Sequence, residues 1–368
     1  MKLKILSLFA LTLSLSICTV GVNGQNLNPN KVTYPEYSAV YRANFTFPQV
    51  NGYKVVVCDF HTHTMFSDGL VWPTLRVAEA WTGGLDALSI TDHIEYRPYR
   101  KYTNNDHNTS YEIALSAARN SGLILIRGTE ITRTQKTLGH YNALFIKDAN
   151  PIAVEDPKAS IVAAKNQGGF IIWNHPGWAV DTTYIKEFQA DLFKDKLIDG
   201  IEVFNNSEFY PRVVSWAVDM GLTMIATSDV HGNVESGTLL EKGFKRPVTL
   251  VLAKEKSAEG IREALDNRRT VAWFQNMLAA HEDVAKQFVT ANISVTKVDS
   301  DTKNNWINLT NNGSVVFKIR INKQLYTLPA LSSIIVAQPL ANGNVLKSNF
   351  ENFFIYENKT LAHDLYFN

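Results

Sequence analysis

Cysteine is almost absent: the chain has two, Cys18 and Cys58, too few for a disulfide framework or a thiolate-built metal site. Excess charge is absent too. A formal net charge of +1, with no Lys/Arg-rich cluster interleaved with aromatics, leaves no electrostatic footprint for a nucleic-acid partner. Neutrality does not exclude an anionic substrate, because metal ions can supply local positive charge. The long apolar stretch near the start, Ile5 to Val20, is interrupted by Thr and Ser and is short for a spanning helix. What is present is 368 residues of 45% hydrophobic content, enough for one large α/β domain with room for a smaller one.

Met1 to Gly24 has the anatomy of a secretory signal: Lys2 and Lys4, the apolar stretch, then Val22-Asn23-Gly24 before Gln25. Cleavage after Gly24 predicts a secreted or periplasmic protein with no stable membrane insertion and with Cys58 as its single cysteine, so that no intrachain disulfide can form. Lipid anchoring through Cys18 is the rival, and Ile17 stands where such sites carry a small residue. Cys58 lies on the opposite parity from His61 and His63, which predicts a small buried hydrophobe packed behind its strand.

The expected organisation is a signal peptide over residues 1–24, a barrel with a polar, proline-containing N-terminal arm over 25–287, and a β-rich domain over 288–368. In the middle segment short apolar runs alternate with helix-like stretches. The runs are Val55 to Phe60, Ala87 to Ile90, Leu123 to Ile126, Ala143 to Ile146, Phe170 to Trp173, Gly200 to Phe204 and Thr223 to Ala226. Helices are expected at Thr74 to Ala80, Ser110 to Asn120, Lys158 to Gln167 and Pro211 to Met220. This is the pattern of seven βα-like repeats, in which helices cover both faces of parallel strands. From Val289 the composition turns to Asn, Ser, Thr and Val. Val315, Phe317, Ile319 and Ile321 alternate on one face, as in a small β-sandwich.

The chemistry is written where the apolar runs end. His61 and His63 follow the first run two residues apart, so an extended chain points both the same way, and Ser67-Asp68-Gly69 adds a carboxylate on a turn. Thr91-Asp92-His93 follows the second run, Gly128-Thr129-Glu130 the third, Asn174-His175-Pro176 the fifth and Ser228-Asp229-Val230-His231 the seventh. In α/β barrels the active site sits at that end of the strands. His140 precedes its run and would enter from a loop or from a strand running the other way. The set is thus His61, His63, Asp68, His93, Glu130, His140, His175, Asp229 and His231.

With these motifs in order from Lys54 to Gly232, the sequence resembles the PHP (polymerase and histidinol phosphatase) family of metal-dependent phosphoesterases. The resemblance implies a distorted (β/α)7 barrel, with the small C-terminal β-sandwich-like domain outside it, and three divalent ions at the barrel's C-terminal mouth. His61, His63, Glu130 and Asp229 would hold the first ion, Glu130, His140 and His175 the second, with Glu130 bridging, and Asp68, His93 and His231 the third. Asp68 stands where some relatives carry His. Asp229, His231 and Glu130 are the residues on which catalysis is placed, by a metal-activated hydroxide attacking a phosphate monoester or diester in line. Oxygen and nitrogen donors without cysteine suit Zn²⁺, Mn²⁺ or Fe²⁺.

Asp92 has the opposite parity from His93 and is expected to support the site rather than bind metal. Arg97 and Arg133 are the candidate cations for substrate phosphate. Export argues against a biosynthetic or polymerase-linked substrate and for a small phosphorylated organic compound. Two other readings remain at this stage: an amidohydrolase-like enzyme that cleaves a carbon–nitrogen bond, and a non-catalytic, metal-stabilised binding protein.

Overall fold

The computed structural model describes residues 42–234 and 246–368. The expected signal peptide, Cys18 and most of the expected N-terminal arm lie outside the described residues. Among the described residues no helix is long and apolar enough to cross a membrane.

Seven strands form the barrel: β1 (Lys54–Asp59), β2 (Ala87–Ile90), β3 (Ile124–Thr132), β4 (His140–Leu144), β5 (Phe170–Asn174), β6 (Gly200–Asn205) and β7 (Thr223–Thr227). Pairing runs in that order and is parallel except at β4, which is antiparallel to both β3 and β5. The ring closes beyond the strand ends, where Asp229 N donates to His61 O at 2.9 Å and His63 N donates to Val230 O at 3.1 Å. Alternate residues of these strands fill the interior. Cys58, Phe60, Ile126, Leu144, Phe170, Ile172 and Ile225 make one buried cluster, so the barrel is a packed plug with its open face at one end.

Helices α1 (Pro73–Thr82), α2 (Thr109–Ser121), α3 (Pro157–Asn166), α4 (Glu187–Lys194) and α5 (Pro211–Met220) connect the strands. Three of them begin on proline, at Pro73, Pro157 and Pro211, where the missing N–H costs no helical hydrogen bond. The Asp156 side chain caps α3 by accepting from Ala159 N at 2.6 Å. No helix joins β3 to β4, so the chain simply turns back, and that is why β4 is antiparallel.

Two sequence expectations change. The third apolar run predicts a strand ending at Ile126, but β3 continues to Thr132. Its polar half, Gly128-Thr129-Glu130, finds its ladder partners on β4, which an apolar pattern does not reveal. The expected domain boundary at 287/288 falls inside a helix, α6 (Glu282–Asn292), whose Val284, Ala285, Phe288 and Val289 are buried at helical spacing. Phe288 touches Phe47, Phe317 and Phe353, so one apolar core runs from beside the barrel into the C-terminal layers.

The C-terminal part is two-layered, as expected. Strand Ser348–Tyr356 pairs in parallel with Met277–Ala279 and antiparallel with Phe317–Ile321, extending the barrel's sheet outward. Strands Ile293–Ser300, Asn304–Asn311 and Ser333–Pro339 form a separate antiparallel sheet. Val315, Phe317, Ile319 and Ile321 are all buried, against Ile307, Leu309 and Val336 of that sheet. Phe288→Ala is therefore expected to cost about 3–5 kcal/mol of stability, as for other buried phenylalanines. Urea unfolding monitored by circular dichroism measures it, and a loss below about 1 kcal/mol would mean that the two parts do not share a core.

Candidate metal centre

The nine sequence-predicted ligands converge at the C-terminal mouth, each carried there by a different backbone device. After Phe60 the chain leaves the β1 ladder and pairs with the segment beyond β7, which brings His61 and His63 against Asp229. Asp68 arrives on a turn that lies directly on the His63–Thr64 peptide. A Cβ on Gly69 would stand 2.6 Å from His63 C and Thr64 N, so only glycine fits. Glu130 sits within β3, and His140 is the first residue of the reversed strand β4, which settles how it enters. His175 and Asp229 follow β5 and β7 with positive φ, 28° and 50°, a strained turn that aims each side chain back over the barrel.

Three groups of donor atoms result. Asp229 Oδ1 lies 3.1 Å from His61 Nε2 and 3.0 Å from His63 Nε2, and Glu130 Oε2 is 3.6 Å from both. Glu130 Oε1 lies 3.2 Å from His140 Nδ1 and 3.6 Å from His175 Nε2. Asp68 Oδ1 lies 3.3 Å from His93 Nε2 and 3.2 Å from His231 Nε2. His63 also faces this third group. Glu130 is fully buried and touches all three: His93 Nδ1 approaches its Oε2 to 2.6 Å.

The donor set fits divalent cations. His61 Nε2, Asp68 Oδ1 and Glu130 Oε2 are buried and form no hydrogen bond of good geometry, facing instead other donor atoms of the cluster, an arrangement that is costly unless something positive lies among them. Burial alone would raise the carboxyl pKa values, but the surrounding imidazoles outweigh it. Glu130 is held well below its usual range, chiefly by His93 and His61, and Asp229 likewise, chiefly by His61 and His63. Asp68 is also held low, against burial, by His231 and His93. For His93 burial is outweighed by Glu130 and Asp68, and its pKa is pushed up to about 10. His63 goes the other way, down to about 4, through burial and the neighbouring His93 and His231. In the ion-free protein the imidazoliums supply the balancing positive charge; cations would supply it with every imidazole neutral.

Behind the ligands stands a layer of polar side chains that hold them in orientation. His61 Nδ1 lies 2.8 Å from Glu202 Oε1, so that Nδ1–H donates to the carboxylate and the Nε2 lone pair faces the centre. Glu202 Oε2 accepts from His175 N at 2.7 Å and from Asn205 Nδ2 at 2.8 Å. His231 Nδ1 donates to Asp229 O at 2.8 Å. Asn174 Nδ2 donates to Glu130 Oε1 at 3.0 Å. Asp92 accepts from Thr64 N, Thr64 Oγ1 and Ser67 Oγ at 2.7–2.8 Å, the supporting role its parity predicts. Asp59 accepts from Ser228 N at 3.1 Å and His61 N at 3.3 Å, tying together the two chain segments that carry the first group.

Sequence reasoning missed Glu202, Asn174 and Asp59. Glu202 did leave a signal, as the one charged residue within the apolar run Gly200 to Phe204. Replacing it with Gln is expected to weaken metal binding by about 10–100-fold, as loss of such a partner does elsewhere. Competition with a chromophoric chelator reads this directly, and unchanged affinity would remove Glu202 from the account.

Arg97 and Arg133 are placed differently from expectation. Arg97 Nε donates to Phe66 O at 2.9 Å, and its Nη atoms donate to Asn105 O and Asn104 O at 3.0 and 2.7 Å. Arg133 pairs with Glu95 and donates to Thr132 O and Val154 O, each at 2.9 Å. Backbone carbonyls and a carboxylate take up both guanidiniums, which therefore anchor loops.

Comparison with solved structures identifies the relatives of this arrangement. A two-domain protein from Bacteroides vulgatus, described as containing a PHP-like metal-dependent phosphoesterase, is 38% identical over 88% of this chain and 98% of its own, with a TM-score of 0.84. The chain belongs to the PHP-like metal-dependent phosphoesterase family. More distant matches include a protein from Bifidobacterium adolescentis described as a metal-dependent phosphoesterase, 19% identical over 57% of this chain and 96% of its own, with a TM-score of 0.42. An amidohydrolase from Chromobacterium violaceum is 18% identical over 48% of this chain and 88% of its own, with a TM-score of 0.40. No protein-family model matches the sequence, and no curated protein does. The PHP-like relative spans both parts of the chain, so the C-terminal layers belong to the shared architecture.

Proposed function

We propose that the protein is an exported phosphoesterase that hydrolyses small phosphate monoesters or diesters at a centre of three divalent ions. The observation that carries this reading is the convergence of nine side chains, from seven separated segments, into overlapping clusters of donor atoms at the barrel mouth. His61, His63, Glu130 and Asp229 would hold one ion, Glu130, His140 and His175 a second, and Asp68, His93 and His231 a third. When bound, such ions neutralise phosphate charge and make water acidic enough to supply a nucleophile near neutral pH.

The chain's own residues set the conditions for that chemistry. Glu130 presents one oxygen to each of two groups, so its charge offsets the repulsion of adjacent cations. Glu202 fixes the His61 tautomer, and the Asp229 carbonyl fixes that of His231. The packed plug of Phe60, Phe170 and Ile225 closes the site from below, which leaves the mouth as the approach for an ester. Export rests on the pattern of Met1 to Gly24, and a mature chain that begins at Gln25 is expected from N-terminal sequencing of protein recovered from the secreted or periplasmic fraction.

The test is hydrolysis of p-nitrophenyl phosphate and bis(p-nitrophenyl) phosphate by metal-loaded full-length protein. Turnover of one or both, abolished by chelation and restored by metal, is the expected result, and their ratio separates phosphatase from phosphodiesterase. Absence of turnover on both with metal bound would overturn the reading.

A further inference from the structure

Two large aromatic side chains stand exposed beside the donor groups, each against different histidines of the cluster. Trp178 is 47% exposed and Tyr96 is 55% exposed. The Trp178 ring lies 5.3 Å from the His175 ring and 5.8 Å from the His140 ring, and the Tyr96 ring lies 6.1 Å from that of His93. Since His93 and His140 are themselves 6.2 Å apart, a continuous row of ring contacts runs from Trp178 through His140 and His93 to Tyr96. The second donor group lies under one end of the row, and part of the third lies under the other.

Both rings are held where they are by specific backbone. Trp178 follows the turn Pro176-Gly177, closed by Trp178 N donating to His175 O at 3.0 Å. A Cβ at Gly177 would stand 2.6 Å from the Tyr210 ring, so glycine allows this turn to pack down and raise Trp178 over the two histidines. Tyr96 lies between two anchored neighbours. Glu95 accepts from Thr132 N at 2.8 Å, and Arg97 is bound to the Phe66 carbonyl. The loop is therefore fixed on both sides of Tyr96 while the ring itself faces solvent.

An exposed indole forgoes burial that would otherwise stabilise the fold, and rigid Trp and Tyr faces are what binding sites use to grip flat ligands at low entropic cost. The two arginines nearest in sequence to the ligands, Arg97 and Arg133, are both taken up by the protein. We propose that Trp178 and Tyr96 are specificity-determining residues that select phosphate esters whose leaving alcohol carries a flat aromatic ring, stacked on Trp178 or Tyr96 while the phosphate sits among the donor groups. This deepens the phosphoesterase reading and rests on it for the nature of the reaction.

Binding of a non-hydrolysable pair tests the inference without requiring turnover. Naphthylmethylphosphonate and its saturated decalinylmethyl counterpart share charge and carbon count and differ in the flat ring. Isothermal titration of the metal-loaded full-length protein is expected to show the naphthyl compound binding roughly tenfold or more tightly, the scale of one aromatic stacking contact. In the W178L/Y96L double variant the ratio is expected to fall to within about twofold of one, and W178F/Y96F, which restores flat rings, should recover most of it. A ratio near one in the unaltered protein, a ratio unmoved in the double variant, or no binding of either compound overturns the inference. Ring preference without turnover of any ester would instead overturn the hydrolase reading and leave this one standing; turnover without ring preference would do the reverse.

Discussion

On the proposed phosphoesterase reading, replacing Glu130 with Gln is expected to lower kcat/KM for phosphate esters by roughly a thousandfold or more, because several kcal/mol of charge stabilisation would depend on the ions this carboxylate would hold. The substitution preserves shape, and the neutral amide can still meet Asn174 and His140. What it removes is the negative charge shared by two donor groups, with His61 and His63 on Oε2 and His140 and His175 on Oε1. Bound metal is expected to fall together with activity, while the far-ultraviolet circular dichroism stays that of the parent. Activity within about tenfold of the parent, a difference of only ~1.4 kcal/mol, would show that Glu130 does not bridge.

The second large effect falls on stability and comes from a residue outside the ligand set. Arg76 of α1 is fully buried. Its Nε and Nη2 donate to His63 O at 3.1 and 2.8 Å, Nη2 also donates to His231 O at 3.2 Å, and Nη1 pairs with Glu79 at 2.5 Å. One guanidinium thereby clamps the chain beyond β1 to the chain beyond β7, where the barrel closes and where the first and third donor groups are assembled. Arg76→Met leaves the buried Glu79 carboxylate without its counter-charge and the His63 carbonyl without its donor, at an expected cost of about 3–5 kcal/mol. The double substitution with Glu79→Leu should recover part of that loss, because the stranded charge goes too. Guanidinium unfolding of the three proteins reads both effects; equal stability of Arg76→Met and the parent would contradict the clamp.

Much of this was legible in the sequence, for a physical reason. Ligands at the ends of strands must follow apolar runs, and pairs that share a face must be two residues apart, so His61-x-His63 and Asp229-x-His231 carry their geometry in their spacing. The residues chosen on that basis meet at the mouth together with His140, which precedes its run, and the run Val315 to Ile321 packs as its alternation predicts. Residues whose role depends on partners far along the chain were hidden. Arg76 reads as an ordinary exposed helix residue until α1 is docked, and Asn174 and Asp59 orient ligands through contacts that spacing cannot foretell. The protein partners of Arg97 and Arg133 were hidden for the converse reason: a cation on a loop reads as free, yet nearby carbonyls compete for its donors. The polar half of β3 lacked an apolar signal because its neighbours in space are the ligands themselves, and α6 hid the seam between barrel and β-layers because its buried stripe serves both.

The number of ions is the claim on which the rest depends, and metal analysis of the purified full-length protein by inductively coupled plasma mass spectrometry measures it. The arrangement of Glu130 between three donor groups predicts close to three divalent ions per chain, falling by at least one in Glu130→Gln. A content of one ion or fewer per chain after saturation with Zn²⁺, Mn²⁺ or Fe²⁺ would contradict it.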